Sequence, residues 1–390
     1  MAEPQPIIIA TQAALDDLAE RLAVEPLIAI DTESNSLYAY RERVCLIQVS
    51  TRDQDWVIDP LALADLSPLG PLLADVRIEK VFHAAEYDLM CLKRDYGFTF
   101  ENLFDTQVAA RILGIKAVGL GNLLEAHFGV RADKRFQRAN WAERPIPARQ
   151  LAYAAQDTHF LPALRDIMLA ALEAGDYLVE AGEAFDLLAE TQPANHSFDP
   201  EGYWHFNAAR TLSRRQMAIL RELYVWREEL ASARDLPPFR IAGDDALVAI
   251  TLKEPAHPRD LHGIRGIGEG LIRQHGPAII EAVRRGQHAP PPRRPERGNR
   301  TDPNTLARYN ALRDWRKQRA AARGVESDVI IPRDALWALA RTAPQTPDAL
   351  IEIPGLGPWK RAHYGAELLR VLESVEPAAA ISSEDDTADR

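Results

Sequence analysis

Apolar residues in the first two hundred positions fall into short runs separated by amphipathic stretches, a pattern of strands interleaved with helices. Residues 6–10 hold Ile7, Ile8 and Ile9 and predict a short strand. Thr11 can cap the helix that follows, in which Leu15, Leu18 and Leu22 recur at helical spacing. Residues 27–31 and 56–59 read as buried strands. Between them Val44–Ser50 alternates, with Val44, Leu46 and Gln48 on one face and Cys45, Ile47 and Val49 on the other. A further apolar strand over 78–83 leads into a helix over 87–96. The pattern then turns helical over 106–113, 120–128 and 148–174. Several strands followed by helices predict an α/β domain whose sheet is covered by helices.

Beyond about residue 205 the strand signals vanish, and helices broken by Pro and Gly take over. Within this half the chain repeats at an offset of 89 residues: Trp226-Arg227 matches Trp315-Arg316, Asp245-Ala246-Leu247 matches Asp334-Ala335-Leu336, and Ile264, Gly266 and Gly268 match Ile353, Gly355 and Gly357. Shared register over about forty residues implies two copies of one small helical module, and the spacing is too long for a solenoid unit. The expected organisation is an α/β domain over 1–204, a first helical domain over 205–288, a Pro/Arg-rich linker over 289–300, a second helical domain over 301–375, and an acidic disordered tail over 376–390.

Composition narrows the class. The 390 residues are too many for one ordinary core, and the 46 % apolar and 26 % charged content is that of a water-soluble globular chain. No apolar run is long enough to span a bilayer, and the N-terminus lacks the basic and apolar regions of a signal peptide, so a cytoplasmic protein is expected. The two cysteines, Cys45 and Cys91, lie in apolar runs and read as buried small residues. Net charge is −11, yet residues 284–323 hold twelve Arg or Lys against three acids, a local basic patch suited to phosphate.

The chemistry lies in four carboxylates. Asp31 and Glu33 stand at the end of an apolar strand, and i,i+2 spacing turns both to one face. Asp88 lies where a buried strand gives way to a helix. Tyr153 and Asp157 share one helical face at i,i+4 spacing. Converging carboxylates repel unless a cation sits between them, and an all-oxygen set suits Mg²⁺ or Mn²⁺. Two such ions about 4 Å apart serve phosphodiester hydrolysis, with a tyrosine beside them orienting the attacking water.

These segments resemble the three motifs of the DEDD exonuclease superfamily, in the subclass with Tyr in the third motif: DTESNSL at 31–37, HAAEYDL at 83–89 and YAAQDTHFL at 153–161. CLIQVS at 45–50, LFDTQVAARIL at 103–113 and NWAERPIPARQLAYAAQD at 140–157 agree with it. The helical repeats resemble HRDC modules, and the layout is similar to that of the ribonuclease D family over residues 5–373. The resemblance implies a ribonuclease H-like mixed sheet followed by two all-α domains. It implies a 3′→5′ exoribonuclease that releases nucleoside 5′-monophosphates with two divalent metal ions, and RNA partners that include tRNA precursors with 3′ extensions. It also points to a monomer. Asp31, Glu33 and Asp157 would hold the first ion, Asp31 bridging to a second supported by Asp88, with Tyr153 placing the nucleophile. Leu37 would wedge against the terminal base, and Thr32 would approach the terminal nucleotide through its backbone.

Outside the motifs, His83 and His159 lack metal-ligand spacing and have structural roles as the simpler reading. His83 is kept as a substrate-binding candidate, and His159 could touch the scissile phosphate. Arg313, Arg316, Lys317 and Arg319 are the expected contacts to the RNA backbone. The two Gly-x-Gly turns could bind phosphate or simply join helices, while Trp226 and Trp315 read as core anchors. A DNA 3′→5′ exonuclease and a non-catalytic RNA-binding scaffold are the rival functions.

Overall fold

The computed structural model describes residues 5–131, 135–193, 197–294 and 301–376. Most of the expected tail (377–390) and half of the expected linker (295–300) lie outside the described residues.

Six strands form one mixed sheet: β1 (Ile7–Ile9), β2 (Leu27–Ser34), β3 (Val44–Ser50), β4 (Asp55–Ile58), β5 (Glu79–Phe82) and β6 (Leu103–Asp105), in the order β1-β4-β3-β2-β5-β6. The β2–β3 and β3–β4 pairs are antiparallel and the other three are parallel. The sheet's helices are α1 (Gln12–Leu22), α2 (Gly70–Ala74), α3 (Glu86–Tyr96), α4 (Thr106–Ile112), α5 (Leu120–Phe128), α6 (Ala148–His159), α7 (Leu161–Ala174) and α8 (Leu178–Ala189). Thr11 caps α1 as expected, its hydroxyl accepting from the Ala14 N–H, and Leu15, Leu18 and Leu22 are buried. Both cysteines are buried and free.

Several elements differ from the sequence reading. β2 runs three residues past Asp31, because antiparallel pairing with β3 continues to Ser34 opposite Val44. Asp31 and Glu33 therefore lie inside a paired strand. β6 has three residues, too few to show a period-2 pattern. The helix expected over 148–174 breaks at Phe160 into α6 and α7, because Pro162 has no N–H to continue the ladder. Helix α8 follows, beyond the last helix expected in this half.

The helical half holds two modules. The first comprises α9 (Arg214–Ala233), α10 (Pro238–Ile241), α11 (Asp244–Lys253) and α12 (Glu269–His288). The second comprises α13 (Pro303–Arg323), α14 (Ser327–Ile330), α15 (Arg333–Thr342) and α16 (Pro358–Glu373), each beginning 89 residues after its counterpart. Each module has its own core, anchored in part by Trp226 or Trp315. The correspondence reaches single hydrogen bonds: Arg227 donates to the Ala242 carbonyl at 3.0 Å and Arg316 to the Ile331 carbonyl at 2.9 Å. Arg316 thus gives one guanidinium nitrogen to its own module and remains partly exposed. Arg319 pairs with Glu367 at 2.7 Å, while Arg313 and Lys317 are exposed.

The second module docks on the sheet domain through contacts that include a shielded ion pair. Arg323 meets Glu180 with two nitrogens, at 2.8 and 2.6 Å, and also donates to the Ile112 carbonyl. The Glu180 side chain is 1 % exposed, with that guanidinium as its ion-pair partner. Removing one partner of such a pair strands the other in low dielectric, at a cost of about 3–5 kcal/mol. Arg323→Ala is expected to lower the urea midpoint of the full chain correspondingly; an unchanged midpoint would show that the pair does not stabilise the docked arrangement.

Candidate active site

Strand β2 supplies the first two acids. Asp31 pairs across the sheet with Gln48 and Glu33 with Leu46, so both project to the same face. Helix α6 lies against β2, β3 and β4 and brings Asp157. Its C-terminal end is pinned by a chain of polar contacts. Ser50 Oγ donates to Asp55 at 2.7 Å and meets the Thr158 hydroxyl at 2.6 Å, and His159 Nδ1 lies 2.8 Å from the other Asp55 oxygen. That carboxylate raises the His159 pKa, and the ring is engaged structurally.

Asp88 stands in the first turn of α3, a position favourable for a carboxylate. Asp105 sets the tight turn before it, accepting from the Ala84 and Ala85 N–H groups at 3.2 and 2.7 Å. The same carboxylate caps α4 through the Gln107 and Val108 N–H groups. One buried acid thus fixes two helix starts, a role the motif reading missed. An Asp immediately before a helical run is an N-cap signal, so half of that role was legible.

The four acids act on one another. Burial raises the Asp31 pKa well above the carboxylate range, Asp157 raises it further, and a hydrogen bond from the Thr32 N–H opposes the shift. Glu33 is pushed up to about 10 by burial and then by Asp31, Asp157 and Asp88. Asp88 is raised by burial and then by Asp31, against hydrogen bonds from Thr32. Asp157 rises to about 7 through burial and the Asp88 charge. The structure therefore brings Asp31, Glu33, Asp88 and Asp157 within mutual influence in one partly buried place.

Among the described residues, no three His, Cys, Asp or Glu side chains are already arranged to grip a metal ion. Like charges without a counterion hold one another apart. Asp88 is also engaged by the Thr32 hydroxyl, which donates to it. In charge and donor type the set nonetheless fits hard divalent cations, which take carboxylate oxygens and complete their shell with water and phosphate.

Tyr153 is partly buried, its ring 5.6 Å from that of Phe136 and 6.1 Å from that of Trp141. Leu37 is 38 % exposed in the segment after β2. His83 is drawn into the fold: Nδ1 lies 2.9 Å from the Thr106 hydroxyl, Nε2 is buried without a partner, and burial lowers its pKa. Thr32 adds a side-chain role to the backbone role expected of it. Gln48, opposite Asp31, is fully buried with neither amide atom partnered. Arg313, Lys317 and Arg319 lie on α13, in a separate module.

A carboxyl whose pKa is raised by folding stabilises the fold below its ordinary value, and that contribution is lost as pH rises through the folded value. For Asp157 the window runs from the ordinary 3.8 to about 7. In chelator, Asp157→Asn should unfold at a higher temperature than wild type, by about 2–4 °C per kcal/mol of repulsion relieved, with the gain growing between pH 4 and pH 7. Thermal scans across that range check this, and a gain independent of pH would contradict the raised pKa.

A family model described as 3′-5′ exonuclease matches residues 6–173, and the HRDC domain model matches residues 216–283 and 305–372. A ribonuclease D of Gluconacetobacter diazotrophicus is 35 % identical over 380 residues, covering 95 % of this chain and 93 % of that protein. The crystal structure of Escherichia coli RNase D, an exoribonuclease involved in structured RNA processing, has a TM-score of 0.68 at 26 % identity, covering 95 % of this chain and all of that one. The catalytic core of RRP6 from Trypanosoma brucei has a TM-score of 0.66 at 28 % identity, covering 73 % of this chain and 82 % of that one. With its acids gathered on a mixed sheet and two HRDC modules behind it, the chain belongs to the ribonuclease D family of 3′→5′ exoribonucleases.

Proposed function

We propose that the chain removes nucleotides one at a time from the 3′ end of structured RNA, tRNA precursors with 3′ extensions among them, by two-metal-ion hydrolysis at Asp31, Glu33, Asp88 and Asp157. The supporting observation is the mutual elevation of these carboxyls: a place so unfavourable for its own charges favours divalent cations. Asp31, Glu33 and Asp157 would hold one Mg²⁺ or Mn²⁺, with Asp31 shared and Asp88 supporting the second. Bound there, the ions supply charge neutralisation at the phosphate and lower the pKa of the attacking water.

The chain's own groups do the positioning. The Tyr153 phenol orients the attacking water, and its ring is set by Phe136 and Trp141. The Thr32 hydroxyl holds Asp88 at the edge of the acid group, and its backbone meets the terminal nucleotide. Leu37 wedges against the terminal base. His83 contacts substrate only if the ring turns out of its Thr106 contact. On α13, Arg313 and Lys317 meet RNA phosphates, and Arg319 joins them if it leaves Glu367. The similarity to E. coli RNase D, an exoribonuclease involved in structured RNA processing, supports structured RNA as the substrate class. We assign the domains to 1–204, 205–288 and 301–375, and the working state to a cytoplasmic monomer.

Incubation of the full chain with a 3′-extended tRNA should give a ladder of products shortened one nucleotide at a time, dependent on Mg²⁺. Asp31→Ala and Asp157→Ala should reduce hydrolysis to background while RNA binding persists. Retained hydrolysis would overturn the mechanism, and preferential digestion of single-stranded DNA would reassign the substrate. Tyr153→Phe should lower kcat by about 10²-fold or more with metal affinity little changed; an unaltered kcat would remove Tyr153 from the chemistry.

A further inference from the structure

The segment between β2 and β3 leaves the sheet after Ser34, one residue past Glu33, and carries Leu37. It closes on itself at the neck: the Asn35 N–H donates to the Arg43 carbonyl, and the Arg43 N–H donates back to the Asn35 side-chain oxygen at 2.9 Å. A turn of its own spans Leu37, with the Tyr38 and Ala39 N–H groups donating to the Asn35 carbonyl at 2.8 and 3.0 Å, and beyond that turn its anchors come from elsewhere. Glu42 accepts from the Tyr87 hydroxyl at 2.6 Å and pairs with Arg94 at 2.8 Å, tying the return leg to α3. The tip is held by the first helical module. The Tyr40 ring packs against that module's core, its hydroxyl donates to Glu228 on α9, and its N–H donates to Asp235, just past the end of α9, at 3.1 Å. Arg240 on α10 covers the Tyr38 ring at 4.2 Å, and the Tyr38 hydroxyl donates to the Arg138 carbonyl.

Leu37 therefore stands between a strand of catalytic acids and two tyrosines that a different domain holds, Tyr40 wholly and Tyr38 in part. A connection lacking its own secondary structure is held no more tightly than its anchors. We propose that Tyr40, seated on Glu228 and Asp235, is a positioning residue through which the first helical module fixes Leu37 against the terminal nucleotide. The assignment rests on the exonuclease reading and on Leu37 contacting the terminal base. It gives the first module a part in turnover separate from any grip on RNA. Loss of the anchor displaces the wedge, and small displacements at a reacting centre cost rate more than affinity.

The test uses the full chain with Tyr40→Phe, which keeps the packed ring and removes only the hydroxyl, and with Glu228→Ala, which removes the acceptor. Single-turnover removal of one nucleotide from a 3′-extended RNA should slow by about 10-fold in each. The RNA dissociation constant, measured in chelator, and the thermal midpoint of Tyr40→Phe should stay close to wild type. Leu37→Ala should slow the same step, and adding Tyr40→Phe to it should slow it no further, because the anchor then has nothing to position. A wild-type rate in both anchor variants, or multiplicative losses in the double variant, would overturn the proposal. Asp31→Ala in parallel separates the two failures: an inactive Asp31→Ala beside a fully active Tyr40→Phe refutes the anchor alone, whereas an active Asp31→Ala refutes the exonuclease mechanism beneath it.

Discussion

Four carboxylates gathered where burial and mutual repulsion both oppose their charge form the constraint around which the catalytic domain is arranged. Their positions are over-determined from outside the group. Strand pairing to Ser34 fixes Asp31 and Glu33, the Asp105 cap fixes the start of α3 and hence Asp88, and the Thr158–Ser50–Asp55–His159 chain fixes the end of α6 near Asp157. A protein holds such a local conflict only where surrounding contacts compensate for it, and the usual reason is function.

The helical modules enter by two routes. The second docks through Arg323 and the buried Glu180, together with the Arg111–Asp328 pair and the Trp359 N–H donated to Glu183. The first meets the segment that leaves the catalytic strand, through Tyr40 and Tyr38. RNA gripped by these modules would thus be gripped by bodies in direct contact with the acid-bearing domain.

Much of this was legible in the sequence because it rests on local periodicity. Alternation in β2 placed Asp31 and Glu33 on one face, i,i+4 spacing placed Tyr153 with Asp157, and the 89-residue repeat foretold two modules whose helices begin in register. What was missed depends on tertiary partners. The Thr32–Asp88 bond joins residues 56 apart, and the Tyr40–Glu228 bond joins residues 188 apart; neither leaves a periodic trace. The hydrogen bond of Arg316 to its own module was signalled only by its match to Arg227 in the repeat. The break at Phe160 was foreseeable from Pro162, which the long apolar periodicity masked.

The central claim is that these acids become a single binding place once divalent cations enter. Titration of the full chain with Mn²⁺, followed by the loss of free-ion electron paramagnetic resonance signal, measures this directly. The account predicts two ions bound per chain in wild type and binding lost or sharply weakened in Asp31→Ala. Binding of no ion by wild type, or equal binding by Asp31→Ala, would contradict it.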